Sequence, residues 1–214
     1  MGWLEYIVDN PDRLLGMAIE HATYVLIAVA ISSVIGVGLG ILVHRNRAAA
    51  SVVTAICATI LTIPSFALFA LMIPVVGLGN TSAVAALSAY ALLPIVRNTI
   101  TGLQELDPAM VESAKGMGMN ARQRLVRVQL PLAWPVIIAG LRVATMLVVS
   151  IFAIASVVGA DGLGQEIFRG LSNLGAVWAF DVVFAATVAI VVVALALDLF
   201  YVLLARLTTS RGLR

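Results

Sequence analysis

The sequence predicts an all-α integral membrane protein with about five transmembrane helices and a two-helix cytoplasmic loop. Three observations carry this. Hydrophobic residues make up 62% of the chain and charged residues only 11%, against about 45–50% and about 25% in soluble domains. The apolar residues gather into runs long enough to cross a bilayer. The basic residues fall almost entirely on one side of those runs. The length of 214 residues fits a single domain spanning 1–214,.

Taken in order, residues 1–18 mix Trp3, Leu4 and Ile7 with Glu5, Asp9 and Asp12 and contain Asn10-Pro11. This segment is too polar to span and reads as interfacial, with a break at Pro11. Its single Arg13 among acids is the reverse of a signal-peptide n-region,. About 20 apolar residues cross the hydrocarbon, which places spans at 22–43, 49–74, 81–96, 134–158 and 179–204. Ser32, Gly36 and Gly40 recur every four residues in the first span, the spacing that lets helices approach closely in lipid,. Pro64 lies within the second span and predicts a kink, because a proline removes one helix hydrogen bond,.

All thirteen Lys and Arg residues except Arg13 and Arg169 fall on one side of these spans: Arg45, Arg47, Arg97, Lys115, Arg122, Arg124, Arg127, Arg142, Arg206, Arg211 and Arg214. By the positive-inside rule that side is cytoplasmic. The N-terminus is then outside and the C-terminus inside, as an odd number of spans requires. Residues 102–131 become a cytoplasmic loop and 159–178 an extracytoplasmic one.

The 102–131 loop is built from helix signals. Asp107-Pro108 supplies an N-cap acid and a proline at the first helical position,. That helix should run to about Met117 and stop at Gly118 or Gly116. Asn120 with Gln123 has capping-box spacing and opens a second helix, through Leu125 and Val128, ending at Pro131,. A capped helix pair held between two spans reads as a docking surface. A DNA-reading helix-turn-helix is disfavoured because the spans clamp the unit against the bilayer, so no nucleic-acid partner is expected.

The loop also reads Glu112-Ser113-Ala114, three residues, Gly118, nine residues, then Val128-Gln129-Leu130-Pro131. This resembles the E-A-A, three residues, G, nine residues, I-x-L-P signature of permease subunits of binding-protein-dependent ABC importers, with Ser113 and Val128 as small departures. Further stretches resemble the osmoprotectant permeases for glycine betaine, choline or carnitine: Thr62-Ile63-Pro64-Ser65, Tyr90-Ala91-Leu92-Leu93-Pro94-Ile95-Val96-Arg97-Asn98-Thr99, Lys115-Gly116-Met117-Gly118-Met119 and Gly159-Ala160-Asp161-Gly162-Leu163-Gly164. The resemblance implies a type I ABC importer permease fold in the cytoplasmic membrane of a prokaryote. It implies two ABC ATPase subunits, a second permease subunit, identical or paralogous, and an extracytoplasmic substrate-binding protein. Glu112, Ser113, Ala114, Lys115, Gly116, Gly118 and Arg122 are then the ATPase-coupling residues. ATP and Mg would be held by the ATPase and no cofactor by this chain, which has no G-x-x-x-x-G-K-[ST] loop,, no Cys/His metal spacing and no nucleophile–base constellation. Importers of methionine or of a thiol-imidazole betaine stay open as alternatives. A stand-alone secondary transporter fits less well, since five spans cannot form equal inverted repeats.

Within the spans, Pro64, Ser65, Phe66, Phe69 and Tyr90 are candidates for the substrate path, since aromatic faces hold quaternary ammonium groups. Arg142 and Asp198 fall at similar depth and are a candidate ion pair,. His21 and His44 read as interface residues at span ends. Cys57 reads as a packed residue without a disulfide partner,.

Overall fold

The computed structural model describes residues 2–209. Arg211 and Arg214, counted above on the cytoplasmic side, lie outside the described residues. Among the described residues the structure is helical throughout and contains no strand. Four helices are long and apolar enough to cross a bilayer, or five if one bent pair is a single span.

A short helix α1 (Trp3–Asp9) ends at Asn10, whose backbone is non-helical (φ −128°, ψ 44°). Pro11 then occupies the first turn of α2 (Pro11–Val43), where its missing N–H costs nothing,. The break at Pro11 is therefore real, but the polar residues after it belong to the first long helix and not to a separate interfacial segment. The second predicted span is also corrected. It is two helices, α3 (Arg47–Thr62) and α4 (Ser65–Val76), bent by 100° at Ile63-Pro64. A residue before proline is forced out of the helical region, and Ile63 is extended (φ −66°, ψ 130°). The chain breaks there outright, where a kink was expected.

Helix α5 (Asn80–Gln104) is the centre of the molecule and packs against α2, α3, α4 and the later α8 (Leu130–Phe152). It extends beyond the predicted 81–96 span. The small-residue stripe of α2 makes the close approach. An added Cβ on Gly36 would lie 2.8 Å from Ile95 Cγ2, and one on Gly40 would lie 2.6 Å from Thr99 Cβ. Ser32 is buried on the same stripe and donates to the carbonyl of Ser88 on α5. Gly140 does the same for α8, where an added Cβ would meet Asn98 Cβ at 2.6 Å and the Pro94 carbonyl at 2.9 Å.

Between α5 and α8 come α6 (Pro108–Gly116) and the short α7 (Ala121–Arg124). The second loop helix does not yield at Pro131 as expected. It passes through a π-helical turn, Leu125–Gln129, directly into α8, so Ala121–Val158 is one helical rod of 38 residues. Pro131 has no N–H to donate and its ring crowds the carbonyl four residues back. The wider turn absorbs it, with the Leu130 N–H reaching the Leu125 carbonyl,. The rod ends in a 3₁₀ segment, Ala153–Val158. Helix α9 (Gly164–Leu171) structures the 159–178 loop, and α10 (Ala179–Thr208) closes the fold against α1, α8 and α9.

His21 is fully buried and not at an interface. Its Nε2 donates to the Val149 carbonyl (3.1 Å), and its ring meets Phe152 edge-on at 4.8 Å.

Candidate functional site

The motif loop displays a short helix with both ends locked. Asp107 accepts a hydrogen bond from the Ala109 N–H (2.8 Å) at the N-terminus of α6, and Pro108 fills the first turn. At the other end the Met119 N–H reaches the Ala114 carbonyl (3.2 Å) and the Gly118 N–H reaches that of Lys115 (3.0 Å). This is a Schellman closure. It needs a left-handed residue after the cap, and Gly118 has φ +80°,. The chain then restarts at Asn120. Its side chain accepts from the Gln123 N–H (2.9 Å), and the Gln123 side chain accepts from the Asn120 N–H (2.8 Å). Both halves of the capping box are present.

Ala114 is the one buried residue of α6, so it seats the helix on the rest of the loop. Glu112, Ser113, Lys115, Gly116 and Gly118 are all exposed, as are Arg122 and the large apolar Met110, Met117 and Val126. Exposed methionines beside charged groups suit an adaptable protein contact. Sequence reasoning missed Arg124. Its Nη1 donates to the Met119 carbonyl (2.7 Å) and ties the corner after α6 to the start of the 38-residue rod. A basic residue next to a capping box carries no local signal for such a bond.

The residues around Pro64 divide into core and surface. Tyr90 and Phe69 are each 1% exposed, while Phe66 is 55% exposed and Ser65 half-buried. The Tyr90 hydroxyl donates to the Ile63 carbonyl (2.7 Å). It therefore braces the break and satisfies a carbonyl that the proline region leaves without a helix partner. Of the three aromatic candidates, only Phe66 has a ring face open to a ligand in this conformation.

Arg142 and Asp198 meet in a two-pronged contact, Nε to Oδ1 at 2.5 Å and Nη2 to Oδ2 at 2.7 Å. The pair bridges α8 and α10 along one edge of an open groove, and the side chains are 47% and 27% exposed.

At the opposite end of the spans two polar clusters were missed. Glu166 on α9 is fully buried. Its carboxylate is 2.5 Å from Arg13 and 3.5 Å from Arg169, and it accepts a hydrogen bond from the Tyr6 hydroxyl (2.7 Å). Burial, and then that bond, raise the Tyr6 pKa above its ordinary value. Arg169 also lies over the rings of Trp178 (5.3 Å) and Tyr6 (5.8 Å). The second cluster joins Asn80 to Asp161 (2.6 Å) and to the Tyr24 hydroxyl (2.8 Å), so the Gly159–Gly164 stretch is pinned to the start of α5.

Residues 32–210 match the family model described as "Binding-protein-dependent transport system inner membrane component". The chain belongs to this family. It is a multi-pass permease subunit of a binding-protein-dependent ABC transport system. Over its full length it is 38% identical to the osmoprotectant import permease protein OsmW of Salmonella typhimurium, also covered completely. It is 34% identical to the choline transport system permease protein OpuBB of Bacillus subtilis. It is 33% identical to the glycine betaine/carnitine/choline transport system permease protein OpuCB of the same organism. Each of these two alignments covers 99% of this chain and 95% of the relative. In three dimensions the permease resembles a chain of the MetNI methionine ABC transporter in an inward-facing conformation. The TM-score is 0.81 at 23% identity, over 92% of this chain and 96% of that one. A chain of an amino acid ABC transporter solved with histidines gives 0.71 at 20% identity, over 97% of each chain. These likenesses establish the type I ABC importer permease fold.

Proposed function

We propose that the chain forms the transmembrane path of an ATP-driven importer of osmoprotectants of the quaternary-amine class, glycine betaine, choline or carnitine. Two permease subunits would enclose the path, two ATPase subunits would sit on the cytoplasmic side, and an extracytoplasmic binding protein would deliver the solute. ATP and Mg belong to the ATPase. The N-terminus lies outside and the C-terminus inside, on the distribution of basic residues,.

One observation carries the coupling role. The exposed α6 is locked at both ends and joined by one glycine corner, which Arg124 braces, to a rod that continues into the membrane. A force applied to α6 is therefore delivered to α8 without an intervening flexible segment. When ATP draws two ATPases together, a helix seated on each moves with them, and rigid rotation of the rods switches access across the membrane. The relatives named for osmoprotectant, choline and carnitine transport support the solute class.

The test is reconstitution in proteoliposomes with the ATPase and the binding protein. Labelled glycine betaine should enter only with ATP and binding protein together. Uptake driven by an ion gradient without ATP would reassign the chain to secondary transport. Methionine-dependent stimulation of ATP hydrolysis in place of betaine would reassign the solute.

A further inference from the structure

Sequence spacing places Arg97 just beyond the third span. In the structure the helix runs on past it. Helix α5 continues to Gln104, which leaves Arg97 about 10 Å inside the helix end at roughly 1.5 Å per residue,. There it lines a groove of about 370 Å³ with Asn98, Leu61 of α3, and Val143 and Leu147 of α8. Val143 also lines the neighbouring groove of about 740 Å³ between α8 and α10, which holds Arg142 and Asp198. On the other flank Arg97 lines a third groove with Arg47, Thr54 and Gln104. Val143 and Arg97 each line two of these grooves, so the three adjoin on one face across α3, α5, α8 and α10. Three charges, Arg97, Arg142 and Asp198, lie close to one level on it.

The three charges are not equivalent. Arg142 and Asp198 neutralise each other. Arg97 is exposed and makes no hydrogen bond or ion pair among the described residues. Two arginines and one aspartate leave this level with one uncompensated positive charge. An ionised side chain inside a membrane helix is costly against hydrocarbon and characteristically faces a water-filled cavity. A guanidinium is a fork of donors shaped for a carboxylate, and its positive charge opposes a bare cation.

Resting on the transport reading above, we infer that this face lines the aqueous path and that Arg97 reads the carboxylate of the passing solute. The contact is offered by zwitterions that carry a carboxylate together with a quaternary ammonium group.

The complex with its ATPase and binding protein, carrying Cys57→Ser and Val143→Cys, is treated in proteoliposomes with two methanethiosulfonate reagents. One bears a sulfonate and the other a trimethylammonium group, and each rate is divided by that with a free thiol. Both should react. The sulfonate should lead by about tenfold, the lower end of the effect of a focused local charge on encounter rates. Arg97→Gln should abolish that preference and Arg97→Lys should keep it. In uptake assays Arg97→Gln should lose glycine betaine uptake about tenfold, as removal of a charge-assisted contact predicts. The labelling arm needs no Arg97 variant, so poor assembly of Arg97→Gln leaves the test intact. Betaine import with Val143→Cys inert to both reagents, or with no sulfonate preference, overturns the inference and leaves the transport reading standing. Import of neither betaine nor choline overturns the transport reading, and the inference falls with it.

Discussion

Glu166 Oε1 lies 2.5 Å from Arg13 Nη2, joining the helix that precedes the last span to the start of the first. The only basic residues on the extracytoplasmic side of the predicted topology are Arg13 and Arg169, and both pair with this one carboxylate. The residues that depart from the positive-inside pattern are thus neutralised within the fold. Glu166→Ala removes the carboxylate shared by Arg169 and the Tyr6 hydroxyl and leaves these part-buried groups bonded only to each other (3.1 Å). The expected cost is about 1 kcal/mol, the lower end of the range for an unsatisfied polar group, because water reaches both. Arg13→Gln should cost less, because the Arg13 side chain is 46% exposed and water can replace the lost contact. Thermal unfolding in detergent should rank the Glu166 variant below the Arg13 variant. The reverse order would mean that the cluster does not hold α1 and α9 together.

The proposed coupling role of α6 makes the Gly118 corner and Glu112 the residues to test. A β-branched residue at φ +80° is strained by about 1–2 kcal/mol,, and the Schellman closure that sets the angle between α6 and the rod would open. Gly118→Val and Glu112→Lys should both reach the membrane and retain binding-protein docking. Uptake should fall about tenfold or more in each, with ATP hydrolysis no longer stimulated by the loaded binding protein. Normal stimulated uptake in both variants would remove the coupling role from α6.

The loop was legible in the sequence because its information is local. Asp107-Pro108, the glycine at Gly118, and the Asn120–Gln123 spacing each dictate a cap by short-range hydrogen bonding, and all three caps form. The small-residue stripe of α2 was legible for the same reason, since one helix face is set by spacing alone. Contacts between distant segments were not. Nothing near Glu166 announces Tyr6 or Arg13, which approach it only when α1 folds back against α10. Proline was read correctly as a disruption at Pro11 and Pro64 and wrongly as a helix end at Pro131, and each outcome was set by the surroundings. Those outcomes are a helix start, a 100° break braced by Tyr90, and a π-turn inside a continuous rod.

Topology can be checked with cysteines in a Cys57→Ser background, and the structure selects the positions. Gly170 is unsuitable, because a Cβ there would lie 2.5 Å from Val183 Cγ2 and 2.6 Å from the Ala179 carbonyl. Val177, 92% exposed beyond α9, and Met117, 70% exposed after α6, carry no such conflict. In intact cells an impermeant thiol reagent should label Val177→Cys and leave Met117→Cys unmodified until the membrane is opened. Labelling of Met117→Cys from outside would invert the assigned orientation and place α6 on the wrong side for an ATPase.

The contact between Arg142 and Asp198 yields the last expectation. The two side chains span α8 and α10 with two parallel hydrogen bonds, a geometry that holds direction as well as charge,. Removing either partner leaves the other charge uncompensated in a membrane helix, where an ionised group is costly. Removing both leaves two apolar residues that fill the groove between the same helices. Arg142→Leu and Asp198→Leu should each lower the detergent unfolding temperature, and the double variant should lie above the lower of the two. Partial recovery of this kind is the signature of a direct interaction in a double-mutant cycle. The pair also sets what Arg97 contributes. With both partners in place the local excess is one positive charge, whereas Arg142→Leu alone leaves Asp198 to offset Arg97. Arg142→Leu should therefore erase the preference for the sulfonate reagent at Val143→Cys, and the double variant should restore it. A double variant as unstable as the sum of its parents, with labelling unchanged throughout, would show that the two residues act independently of each other and of Arg97.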